Sequence, residues 1–95
     1  MTPGRVMLSR AAGWRMPENT VKVDRSTRWG NPFRVGEDGI ATPAASIRAY
    51  RAWLAAHPEV RRAARESLAG KNLACWCPLD GPCHADVLLR AANGP

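Results

Sequence analysis

The chain has 95 residues and a formal charge of +6, from 14 Lys+Arg against 8 Asp+Glu; 45% of it is hydrophobic and 23% is charged. That length allows one small core, hiding about 60–65% of the surface the unfolded chain exposes, and that composition excludes wholesale disorder. No apolar run reaches the roughly 18 residues a bilayer span needs, and MTPGRVMLSR lacks the apolar centre of a signal peptide, so a cytoplasmic protein is expected.

In chain order, Arg5-Val6-Met7-Leu8-Ser9 predicts a short strand, and Gly13 to Pro17 a loop. The β-branched alternation of Thr20-Val21-Lys22-Val23-Asp24 predicts a second strand. Arg25 to Phe33, with Gly30 and Asn31-Pro32, has no helical period and reads as a structured loop. Thr42-Pro43 can cap and open a helix carrying Ile47, Tyr50 and Leu54 on one stripe, out to about His57. Pro58 opens another, with Val60, Ala64 and Leu68 inward, stopped by Gly70. Lys71 to Cys77 predicts a third strand ending at Pro78, and Pro82 starts a last helix with Val87, Leu88 and Ala91 on one face. The order β-β-α-α-β-α is that of one small α/β domain with a core over about residues 5–93, helices packed on a short sheet and a Rossmann-like strand–turn–helix at its C-terminus.

The charge is uneven. Residues 1–36 hold seven positive and two negative side chains, a net +5, which marks the N-terminal third as the expected anion-facing part.

Three cysteines crowd into nine residues beside a histidine: Cys75, Cys77, Cys83 and His84. An odd, clustered set of thiols reads as a site rather than as a disulfide framework. On a strand Cys75 and Cys77 share a face, and Cys83 and His84 fall in the first turn of the next helix, where the dipole favours anions and depresses a thiol pKa. Two chemistries follow. Three thiolates and an imidazole suit zinc, and less well an iron–sulfur centre; alternatively Cys83 or Cys75 is a nucleophile or redox thiol, with His84 as its acid–base partner. Burial of inert cysteines in the core is the bland third reading. Trp76, between the two strand cysteines, is expected to face the other side of the sheet and pack there; Trp53 is expected to pack, His57 to cap or sit on the surface, and Asp86 to serve the helix dipole.

The second constellation is the loop of Arg25, Thr27, Arg28, Trp29 and Asn31. Guanidiniums suit phosphate, an indole face can stack on a base, and a carboxamide can orient polar edges. Trp14-Arg15 repeats the aromatic–basic pairing.

The segments GWRMPENTVKVDRSTRWGNPF, AASIRAYRAWL and GKNLACWCPLDGPCHADVLLRAAN together resemble the domain-of-unknown-function family numbered 4326, over about Gly13 to Asn93. That resemblance implies a bacterial or bacteriophage source, hence the bacterial cytoplasm or a phage-infected host, and no settled activity. The Cys75…Cys83-His84 pattern is more loosely similar to another uncharacterised family, numbered 488, which implies those three residues as a shared core with Cys77 as an extra. The leading expectation is a binding or enzymatic domain for a phosphorylated or nucleotide-like small molecule. Arg25 and Arg28 would hold the anion, Thr27, Trp29 and Asn31 would line the ligand, and Cys83 with His84 would do the chemistry. The alternative is a zinc-stabilised module that binds nucleic acid or a protein.

Overall fold

A computed structural model describes residues 3–37 and 39–94. Three strands form one parallel sheet: β1 (Arg5–Met7), β2 (Thr20–Lys22) and β3 (Asn72–Cys75), in the order β1-β3-β2. Three helices accompany it: α1 (Pro43–Ala55), α2 (Pro58–Leu68) and α3 (His84–Asn93). The small α/β architecture expected from the sequence is thus observed, with the strand order now fixed. Among the described residues, no helix is long and apolar enough to cross a membrane.

The central strand is the last one, and its composition explains why. A parallel strand flanked on both edges is buried on both faces, and Leu73 and Ala74 are fully buried. Val6 pairs with Ala74 on one edge and Val21 pairs with Leu73 on the other. The carboxyl end of β3 therefore emerges between the other two strands. In open α/β sheets that is where ligands and reactive groups gather.

The helices begin as their sequences dictate. The Thr42 hydroxyl accepts the Ala45 N–H at 3.1 Å, and Pro43 occupies the first turn of α1. Pro58 opens α2, and Gly70 follows it at φ +76°, a left-handed conformation that glycine adopts without penalty. α3 packs on β3 and against both α1 and α2. Tyr50, Leu54, Ala64, Leu68, Leu73 and Leu88 fill the centre of the core.

Several boundaries differ from those expected. β1 stops at Met7, opposite Cys75 where β3 also ends, and β2 stops at Lys22, opposite Ala74. Trp76 therefore lies beyond the sheet and does not pack on its far face. It is 39% exposed, its indole N–H donates to Asp24 Oδ2 at 2.8 Å, and the Arg10 guanidinium covers its ring at 4.4 Å. α3 starts at His84 instead of Pro82, since Cys83 is extended (φ −150°, ψ 145°) and caps the helix. His57 does occupy the N-cap position of α2, without a capping bond from its side chain; its ring stacks on Trp53, with centroids 4.3 Å apart, and its Nδ1 bonds the Trp53 carbonyl.

Candidate metal centre

The site is assembled from the two ends of one hinge. Cys75 is the last residue of β3, Cys77 lies in the bend that follows, and Cys83 and His84 open α3. The extended backbone of Cys83 turns its side chain back over the helix start, where the sulfur accepts the Ala85 N–H at 3.5 Å. His84 sits one residue later, and its ring points toward the end of β2. Its Nε2 lies 2.6 Å from the Val23 carbonyl oxygen, and Tyr50 packs edge-on against the ring. A carbonyl oxygen only accepts, so Nε2 carries the proton. In the neutral ring Nδ1 is then a bare lone pair, 3.7 Å from Cys83 Sγ.

Consecutive ligation by Cys83 and His84 is thus geometrically available: one residue is extended and the next is helical. The donor atoms of Cys75, Cys83 and His84 all lie within 4.8 Å of one another, and Cys77 Sγ is 3.7 Å from Cys75 Sγ. With metal–sulfur bonds of about 2.3 Å and a metal–nitrogen bond of about 2.0 Å, a tetrahedral zinc site has sulfur–sulfur edges of about 3.8 Å and sulfur–nitrogen edges of about 3.5 Å. Both 3.7 Å separations match those edges. All three cysteines are free; Cys75 and Cys83 are buried and Cys77 is half-buried.

The thiols do not titrate alike. A hydrogen bond from the Cys83 thiol holds Cys75 well below the ordinary thiol range, against the opposing effect of burial and with help from His84 and the Cys77 N–H. The same bond, together with burial, pushes Cys83 up, and burial raises Cys77. Sulfurs this close titrate together, and the contacts favour the thiolate at Cys75 over the other two. The upward direction at Cys83 is opposite to the lowering expected of a thiol at a helix N-terminus, and of the two expected nucleophiles it is Cys75 that is lowered.

One residue that the sequence did not single out holds the hinge in place. Arg5, on β1, has a side chain only 10% exposed. Its Nη1 donates to the Gly81 carbonyl at 2.9 Å and to Asp86 at 3.2 Å, and its Nη2 donates to the carbonyls of Pro78 and Leu79 at 3.1 and 2.6 Å. The guanidinium fork clamps the link between Cys77 and Cys83 against the first turn of α3. Asp86 therefore has a partner as well as its place at the dipole.

The Arg25–Phe33 loop lies against this hinge, and its residues divide. Thr27 folds the turn, donating to the Asp24 carbonyl at 2.8 Å and accepting the Trp29 N–H at 3.2 Å. Asn31 is buried; its amide donates to Ser46 Oγ at 2.9 Å and its oxygen accepts the Phe33 N–H. Trp29 belongs to the core at 6% exposure, with Arg28 over its ring at 4.8 Å, so its indole presents no open stacking face. Gly30 permits the loop to close: a Cβ there would stand 2.5 Å from Arg25 Cα and 2.8 Å from the Asp24 carbonyl. Arg25 and Asn31 face Cys77 and His84 across a cleft of about 130 Å³, which Thr27, Arg28 and Trp29 do not line. Arg25 is exposed and spends its Nε on the Asn31 carbonyl at 3.0 Å.

No curated protein and no solved structure matches the chain significantly. A family model described as a domain of unknown function, DUF4326, matches residues 6–94 and so includes every residue of the Cys/His cluster. The chain belongs to the DUF4326 family.

Proposed function

We propose that this is a zinc-holding domain in which Cys75, Cys83 and His84 ligate the ion and Cys77 closes the tetrahedron. One observation carries the reading: the Cys75–Cys77 sulfur–sulfur and Cys83–His84 sulfur–imidazole separations, 3.7 Å each, are close to two edges of a zinc tetrahedron, and the far nitrogen of His84 is already committed to Val23. A carbonyl acceptor behind a ligating imidazole fixes its tautomer and its aim, the usual arrangement around protein zinc. The Ala85 N–H on Cys83 Sγ similarly favours a ligating thiolate. The ion would tie the end of the central strand to the start of α3, a substantial gain for a core this small. Iron–sulfur ligation is less well supported, because a histidine on a single-ion tetrahedron suits zinc.

The test is elemental analysis, with thiol titration, of protein purified without a metal-affinity tag. About one equivalent of zinc and few reactive thiols is the expected result. No metal with three titratable thiols overturns the proposal.

A second reading is favoured by the cleft. Cys77 and His84 open onto the same hollow as the exposed Arg25 guanidinium. In a metal-free protein that hollow would take a phosphorylated or nucleotide-like ligand by its anionic group, with the thiol cluster for any chemistry. The metal-free outcome of the same analysis selects this reading.

A further inference from the structure

The basic N-terminal third is largely matched from within. Arg5 clamps the hinge, Lys22 pairs with Asp24, and Arg10 and Arg28 lie on indole rings. A further set of unmatched arginines lies on the helices. Three adjoining hollows run across α1, α2 and α3. The first is lined by Arg61, Arg62 and Arg90, the second by Arg51, Arg61 and Arg90, and the third by Arg51 and Arg90. Arg90 is common to all three, so they form one groove with Val87 and Ala91 along its floor. Among the described residues, the side chains of Arg51, Arg61, Arg62 and Arg90 have no hydrogen-bond or ion-pair partner. Arg65 also lines the groove, but it donates to the Ala91 and Gly94 carbonyls.

We propose that this groove is a docking surface for the phosphate backbone of duplex DNA. Four unpartnered guanidiniums along one channel offer forked donors of the kind that binds phosphate, and no unpaired carboxylate lines the channel beside them. Neither Glu59 nor Glu66 of α2 lines the groove, and its one acidic residue, Asp86, is held by Arg5. No aromatic residue lines it either. That disfavours splayed single-stranded bases, which need stacking platforms, and favours a backbone read as a row of charges. One end of the groove meets the Arg25 cleft at Ile47 and Pro82 and reaches Cys83, but none of the four unpartnered arginines lines that cleft.

The experiment is fluorescence anisotropy with a labelled duplex DNA, titrated with the zinc-analysed full chain from about 50 to about 200 mM salt. Three proteins are compared: the unaltered chain, Arg61→Gln/Arg62→Gln/Arg90→Gln, and the charge-matched Arg15→Gln/Arg34→Gln/Lys71→Gln. The groove variant is expected to bind at least about tenfold more weakly, with a salt slope smaller by about three, one for each phosphate contact removed. The charge-matched variant should stay within about twofold of the unaltered chain. Should the groove variant lose its circular dichroism spectrum, the single variants Arg61→Gln and Arg90→Gln replace it, each with a slope smaller by about one. Equal weakening of both triple variants overturns the proposal, as does the absence of binding at the lowest salt. Preference for phosphatidylserine vesicles or duplex RNA over DNA also overturns it.

Discussion

His84 Nε2 stands 2.6 Å from the Val23 carbonyl oxygen, one residue past the end of β2, so the imidazole is aimed by a strand that contributes none of the cluster's sulfurs. Replacing His84 by Ala removes a donor of the proposed zinc site and leaves that buried carbonyl without its partner. Loss of bound zinc and of about 1–3 kcal/mol beyond the metal's own contribution is expected from the orphaned acceptor. His84→Gln, whose amide can still donate toward Val23, should regain part of the second effect and none of the first. Zinc content and urea midpoints of the two variants, each with and without chelator, decide this.

Arg5 reaches from β1 to three carbonyls of the Pro78–Gly81 turn and to Asp86, so its removal loosens the link between Cys77 and Cys83. Arg5→Ala should destabilise the fold by about 2–3 kcal/mol, the scale of charge-assisted bonds left unmade. It should also weaken zinc binding by about 10–100-fold, as loss of an outer support does. Arg5→Lys should recover less than half of either loss, because an ammonium cannot point at several carbonyls in the plane of a fork. A competition titration with a zinc chelator, run beside urea unfolding, checks both effects.

The contrast between Arg5 and the cysteines shows what the sequence could convey. Helix starts at Thr42-Pro43 and Pro58, the stop at Gly70 and the clustered thiols are local signals, and all appear where expected. Trp29 and Asn31 look in the sequence like groups for a ligand. Their burial depends on α1 folding over the loop, with Tyr50 and Ser46 bonding back to Trp29 and Asn31. Arg5 is one basic residue among seven in its region, and its role is set by a turn more than seventy positions away. Trp76 departs from strand alternation for a simpler reason: the strand ends one residue before it, and alternation stops with the strand.

Cys77 differs from its two buried partners by lying nearer to solvent, beside the Arg25 cleft. Cys77→Ser should therefore retain zinc on three protein donors plus water, with weakened affinity, whereas Cys75→Ser and Cys83→Ser should lose it. Retention in the first variant alone would mark Cys77 as the displaceable corner of the tetrahedron. Equal loss in all three would make the site a closed structural one. Zinc measured after gel filtration of each variant distinguishes the two cases.

Tyr50 gives a direct optical report on the core beside the cluster, since it is the chain's single tyrosine. Its hydroxyl donates to the Trp29 carbonyl at 3.0 Å, its ring edge meets His84, and burial pushes its pKa up to about 12. A phenol whose pKa is higher folded than unfolded contributes stability that is complete below the unfolded value of about 10 and is lost as pH rises through about 12. Phenolate absorbance of the folded chain should accordingly rise only near pH 12, and in denaturant near pH 10. Tyr50→Phe should flatten the alkaline limb of the stability profile. At neutral pH it should cost about 1 kcal/mol, because the Trp29 carbonyl is left unpaired in the core. A Tyr50 titration near pH 10 in the folded chain would show instead that the phenol reaches water, and that α1 does not seal the loop against the hinge.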